Sequence, residues 1–324
     1  MRRIFLLLLA FIVSFIIIEL FTYYVIGYPK YVPGSYKYII NNKLGQYNIL
    51  TVHSPRYTTS NVEGGYKVIQ LNNCGLPGLD INIDNNNKNI ILLGDSFVEA
   101  FQYDADLTSA GILQKRLQLL DPNYQIINLG ASGHDPYVLW HRMNYYEKKY
   151  KPYLVILVWE SFERLNYYLS RWNIEDMDYN VPVPYVRIND TSFKLLIDNV
   201  REKSAFINIG SSLLKNMKRH SELTNGNEQI VYYDSYKTTY DKLCSILLKY
   251  KYQYGNKFIF VSIMRDCPYE ADLKKYCEEN KIAYYQDINI MKSINLINGS
   301  GHFNKDGNRQ LGFLLYDICS YNIY

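Results

Sequence analysis

The stretch KNIILLGDSF, residues 88–97, is the most informative piece of this sequence. KNIILL (88–93) is an almost continuous apolar run, the pattern of a strand covered on both faces. Gly94 then permits a tight turn, and Ser96 stands where the next helix begins. Its hydroxyl can point into a crevice, with neighbouring backbone N–H groups placed to receive a developing oxyanion. The same residue can equally be a plain serine N-cap. These residues alone leave both readings open.

Downstream, the rhythm of strand and helix repeats. A helical stretch is predicted around 108–120, with Ile112, Leu113, Leu117, Leu119 and Leu120 on its apolar side. QIIN (125–128), a helix near 137–149 and LVILVW (154–159) follow. Residues 164–230 break the rhythm and read as an insertion able to cover a site, with an extended VPVPYVRI and a helical piece near 205–218. Alternation resumes with a helix at 235–250, the strand FIFVSIM (258–264), a helix at 269–280, IAYYQ (282–286) and a last helix over 305–320. Strands alternating with helices predict an α/β fold: three layers, a parallel sheet with helices on both faces, flavodoxin-like. Chemistry in such sheets sits beyond the C-terminal ends of the strands.

Upstream, residues 28–88 form a polar approach segment rich in Tyr and Asn, with short strand-like runs such as YKVIQL (66–71). Before it, IFLLLLAFIVSFIII (4–18) is free of charge, and the apolar character resumes after Glu19 up to Ile26. As a helix, residues 4–26 would measure roughly 34 Å, enough to cross a bilayer core. Arg2 and Arg3 precede it, which predicts a cytoplasmic N-terminus and a translocated C-terminal domain. A cleaved signal peptide is the competing reading, but ELFTYYVIGY is too bulky for a small-x-small cleavage site. The expected organisation is a signal anchor at 1–27, the approach segment at 28–88 and a domain at 89–324.

Composition excludes several classes. Net charge is +4, from 35 basic and 31 acidic residues, and it is dispersed rather than clustered. No nucleic-acid surface is expected. The 34 tyrosines are spread along the whole chain and read mainly as composition bias. Five cysteines without a C-x-x-C pair suggest small buried hydrophobes rather than zinc or a disulfide framework, although one disulfide fits an exported domain. His53, His141 and His220 lack metal-ligand spacing.

Two further stretches follow strand ends. Asn128-Leu129-Gly130-Ala131-Ser132-Gly133-His134 carries glycines that allow close backbone approach to a ligand, and His134 can border the crevice. Gly301-His302-Phe303-Asn304-Lys305-Asp306-Gly307 opens the last helix, placing His302 at the same sheet edge as Ser96. His302 can act there as a general base or serve as a structural loop histidine.

Together these pieces resemble the SGNH/GDSL hydrolase family, and more closely its membrane-anchored members near polysaccharide-modifying systems. The resemblance covers about residues 70–324 and includes Asn73-Cys74-Gly75-Leu76-Pro77-Gly78, which looks like the segment preceding the domain in such members. It implies Ser96 as nucleophile in the GDS turn, Gly133 as an oxyanion-hole donor, and His302, Asn304 and Gly307 as the H-x-N-x-x-G block. Two positions depart from the family. Its third block has an Asn after the third core strand, where this chain reads Trp159-Glu160-Ser161-Phe162, leaving Ser161 as a substitute donor. The family's Asp three residues before the His is Gly299 here, so Asp287 or Asn298 would have to orient the imidazole, or a Ser–His dyad would work alone.

The expectation is an extracytoplasmic serine esterase or O-acyl transferase acting on an acylated glycan or other small ester, with no metal or organic cofactor. The alternative is a catalytically silent member that binds glycan or acts as a scaffold.

Overall fold

In the computed structural model, the described residues are 2–25, 36–41, 45–50, 56–58, 68–74, 76–82, 86–171, 200, 204–207, 209–210, 214, 235–298 and 301–323. VPVPYVRI and most of the 205–218 stretch lie outside them, although 205–207, 209–210 and 214 are helical.

Helix α1 (Arg2–Leu20) continues into a π-helical turn, Phe21–Val25. Arg2–Val25 is long and apolar enough to span a bilayer, and its most apolar window has no buried residue. Glu19 interrupts this surface. Its carboxylate accepts from Ser204 Oγ at 2.7 Å, Ala205 N at 2.7 Å and Phe206 N at 3.1 Å. An acid in an apolar helix is costly unless donors meet it, and here the 204–206 backbone does so.

Two antiparallel pairs follow: β1 (Tyr36–Asn41) with β2 (Gly45–Leu50), and β3 (Arg56–Thr58) with β4 (Val68–Gln70). Within the strand-like YKVIQL, Val68–Gln70 form β4. Residues 71–82 then fold back on themselves, with Asn72 Oδ1 accepting from Cys74 N and Leu76 N. Leu76 and Ile81 are buried in the main core, which therefore reaches back before residue 88.

The central sheet contains β5 (Lys88–Leu93), β6 (Tyr124–Asn128), β7 (Leu154–Trp159), β8 (Phe258–Ser262) and β9 (Ala283–Gln286). All pairings are parallel, in the order β6-β5-β7-β8-β9. Counting these strands from one, that is 2-1-3-4-5, the flavodoxin-like order, whose direction reverses at β5. The apolar run splits by period two. Ile91 and Leu93 face one core with α4 (Pro136–Tyr150), α5 (Phe162–Arg171), α6 (Tyr236–Tyr254) and α7 (Glu270–Glu279). Ile90 and Leu92 face the other with α2 (Ser96–Glu99), α3 (Ser109–Gln118) and α8 (Lys305–Ile323). Two-sided burial explains why no polar alternation is visible in the strand.

Helix boundaries differ from the expected ones at their ends. α6 runs four residues past 250, until Gly255 turns the chain with φ +59°. The expected start of the insertion, residue 164, falls inside α5. All five cysteines are free thiols, and Cys244, Cys277 and Cys319 are buried.

The helix α2 and the turn after β6 are tied by one buried side chain. Asn128 donates to Val98 O at 2.8 Å and accepts from Gly130 N at 2.9 Å. Asn128→Ala would leave both backbone groups buried without that partner, and should lower unfolding free energy by about 2 kcal/mol or more in denaturant titration.

Candidate active site

The Ser96 turn is built by exclusion. A Cβ on Gly94 would lie 2.3 Å from Val98 Cγ2 and 3.1 Å from Val158 O, so only glycine lets β5 run straight into α2. Asp95 caps the helix, its Oδ1 accepting from Phe97 N at 3.0 Å. Ala100 ends this single turn in the left-handed region, φ +51°. Ser96 is thereby the first residue of α2, and Asp95 performs the capping that the sequence also allowed for serine.

His302 comes from the opposite end of the chain. Its loop is folded as a small hairpin: Leu296 bridges Phe303, Ile297 N donates to His302 O at 2.7 Å, and Asn304 N donates to Asn295 O at 2.8 Å. Asn304 caps α8, accepting from Asp306 N and Gly307 N, while its amide donates to Ile294 O and Leu296 O. A Cβ on Gly307 would sit 2.4 Å from Asn295 O, so that position must be glycine for the loop to pack. Phe303 is buried edge-on against Phe97 at 4.7 Å. With the loop held this way, His302 Nε2 lies 2.9 Å from Ser96 Oγ, across 206 residues of sequence.

The Gly133 turn is tied to both ends of the Ser96 turn. Ala131 N donates to Gly94 O at 2.9 Å, and Ser132 donates through N and Oγ to Glu99. Gly133 adopts φ +73° with open space where a side chain would stand. On Gly130 a Cβ would lie 2.5 Å from Glu99 N, so α2 and this turn approach as closely as backbones can. His134, half-buried, lies with Nδ1 3.2 Å from Ser132 O, and burial and then the Arg142 guanidinium lower its pKa.

Ser161 has a different engagement from the one expected. Its hydroxyl donates to Asp266 Oδ2 at 2.9 Å and accepts from Arg164 N at 3.2 Å. Asp266 also accepts from Phe162 N and Glu163 N, so the pair caps α5. Asp287 accepts from Asn289 N at 2.9 Å and caps a 3-10 turn after β9. Asn298 is exposed at the tip of the His302 hairpin.

The acids that crowd the site are Asp95, Glu160 and Glu99, each 3% exposed. Arg164 Nη1 lies 3.2 Å from Glu160 Oε1 and 3.9 Å from Asp95 Oδ2. Burial raises the Asp95 pKa, opposed by the Phe97 N–H. Glu160 is raised well above the usual range, by burial and then by the Asp95 charge. In the sequence, Glu160 stands where the resemblance expects Asn, an acid that would repel an oxyanion unless protonated, with Arg164 four residues on. A cavity of about 350 Å³ opens here, lined by Phe97, Glu160, Arg164, Arg265, Leu296 and Gly301 among others. Among the described residues no group of three or more His, Cys, Asp or Glu side chains is placed to hold a metal ion.

Burial raises the Glu99 pKa to about 7, opposed by the two Ser132 donors. The folded-state value exceeds the ordinary 4.5, so this group's contribution to stability is lost as pH rises toward about 7. Glu99→Gln should therefore gain about 3 kcal/mol relative to wild type across that window, measured by denaturant unfolding at its two ends. A difference that does not change with pH would refute the buried charge.

No family model and no curated protein matches the chain. Among solved structures it is similar to the psychrotrophic esterase EstA from Pseudoalteromonas sp., inhibited by monoethylphosphonate, with 13% identity, 74% of this chain and 100% of that chain covered, and a TM-score of 0.42. It is similar to TesA with 14% identity, 72% and 99% covered, and a TM-score of 0.40. The lipase/acylhydrolase from Enterococcus faecalis gives 12% identity, 72% and 95% covered, and a TM-score of 0.39. These esterases and acylhydrolases are what the chain is similar to; its own chemistry rests on the residues described above.

Proposed function

We propose that the chain is an ester hydrolase or O-acyl transferase of the SGNH/GDSL type, working through Ser96 and His302. The observation that carries this reading is the 2.9 Å approach of His302 Nε2 to Ser96 Oγ. In the proposed reaction His302 takes the Ser96 proton as Oγ attacks an acyl carbonyl. The N–H groups of Ser96 and Gly133 receive the oxyanion. The tetrahedral intermediate collapses, and His302 returns the proton to the departing alkoxide, leaving an acyl-serine. Water or a sugar hydroxyl then attacks the acyl-serine, with His302 again as base. Hydrolysis results in the first case and acyl transfer in the second.

The motif resemblance and the apolar α1 support placement in a membrane, with residues 28–88 and the domain at 89–324 outside the cytoplasm. That setting favours an acylated glycan or other small ester as substrate, with residues 164–230 as a cover for the site. A silent, glycan-binding chain is the second reading. It is favoured by the Ser161 hydroxyl, which is held by Asp266 at 2.9 Å rather than left for an oxyanion.

Labelling of the full chain in detergent with a fluorophosphonate serine probe separates the two. The enzyme reading expects labelling that Ser96→Ala abolishes and that His302→Ala slows by about a thousandfold or more. Folded wild type that stays unlabelled beside a labelled control hydrolase would leave the binding reading standing.

A further inference from the structure

Asp95 and Glu160 follow adjacent strands, β5 and β7, at the edge where Ser96 stands. Both carboxyl groups are buried, and they converge on one guanidinium, with Arg164 Nη1 3.9 Å from Asp95 Oδ2 and 3.2 Å from Glu160 Oε1. Phe97 N donates to Asp95 Oδ1, which favours the charged form of Asp95. Glu160 Oε1 faces Arg164, whereas Oε2 is buried with no donor directed at it. An ionised carboxylate oxygen left that way would forfeit its hydration without replacement. A proton on Oε2 removes the conflict.

The surrounding charges agree. Arg164, from α5, is the cation that faces both acids, and its side chain is 45% exposed. His302 faces Asp95 from the loop before α8, and Glu99 faces it from α2. Arg265 and Asp266 line the cavity after β8, with Asp266 already capping α5. Two buried carboxylates against one half-exposed guanidinium would leave an excess negative charge where the oxyanion must form.

We propose that Asp95 and Glu160 act as one unit holding a single proton. Glu160 is the carboxylic acid, Asp95 is the carboxylate that accepts its hydrogen bond, and the pair carries one negative charge, balanced by Arg164, so that an oxyanion can form at Ser96. This rests on the serine-hydrolase reading above. It gives Glu160 a positioning role at the position where the family's side-chain amide donor is replaced, and Asp95 a negative charge that acts on His302. When that proton leaves, above the usual carboxylate range, a second negative charge opposes attack at Ser96.

The test combines an infrared and a kinetic measurement on the full chain in detergent. Infrared difference spectra should show a protonated-carboxyl band at neutral pH that titrates away at alkaline pH and is missing from Glu160→Gln. The fluorophosphonate labelling rate of wild type should fall over the same alkaline range by at least about tenfold. Glu160→Ala should label more slowly at neutral pH, and Glu160→Gln, whose amide still donates to Asp95, should rescue most of that rate and lose the alkaline decline. Identical spectra for wild type and Glu160→Gln, or an alkaline decline that survives in Glu160→Gln, would overturn the shared proton. A chain that carries the band but never labels overturns the serine-hydrolase reading and, with it, the purpose assigned to the pair.

Discussion

A methyl group at Gly94 would lie 2.3 Å from Val98 Cγ2, and the rest of the site is arranged around that closeness. Because the strand has no side chain at its last turn, α2 begins directly on the end of β5. Ser96 then projects from the first residue of a helix rather than from a loop. The neighbouring turn repeats the device: Gly130 would place a Cβ 2.5 Å from Glu99 N. Strand end, Ser96 helix and Gly133 turn are thus pressed together at backbone distance, in a sheet whose order reverses at this point.

Polar side chains in dry surroundings then hold what the glycines bring together. Asn128 fastens α2 to the β6 turn, and Asn295 and Asn304 fold the His302 hairpin. Asn308 accepts from Ser109 N at 3.2 Å and ties α8 to α3. Each of these bonds is modest in net energy, but leaving the same groups unpaired inside the core would cost more than the bonds contribute. Loops closed this way orient His302 with little freedom, and hold its Nε2 2.9 Å from Ser96 Oγ.

Charge is the second organising feature. Burial raises the pKa of Asp95, Glu99 and Glu160 alike, yet each answers to different neighbours. Glu99 holds the Gly133 turn through Ser132, so its role is to shape that turn. Asp95 meets a backbone N–H and the field of His302, whereas Glu160 meets a second acid and one arginine. Similar side chains thus stand in different electrostatic surroundings at one edge of the sheet.

Much of the fold was legible in residue order. Ile90–Leu93, Leu154–Trp159 and Phe258–Ser262 read as two-sided strands, because continuous apolar character is a local property that survives folding. Gly94, Ser96, Gly133, His302, Asn304 and Gly307 were legible too, since their backbone demands or chemistry are written in the residue type. The partners were not. Ser161 pairs with Asp266 and Asp287 caps its own turn, because a hydroxyl or carboxylate bonds whichever donor or acceptor the packing brings within reach. The sequence by itself determined the alternating architecture, the apolar N-terminal helix and the identity of a serine and a histidine at strand ends. Only the tertiary structure decided that these two lie 2.9 Å apart and that Glu160 stands buried against Asp95, because strand order and desolvation arise from the assembled chain and belong to no single segment.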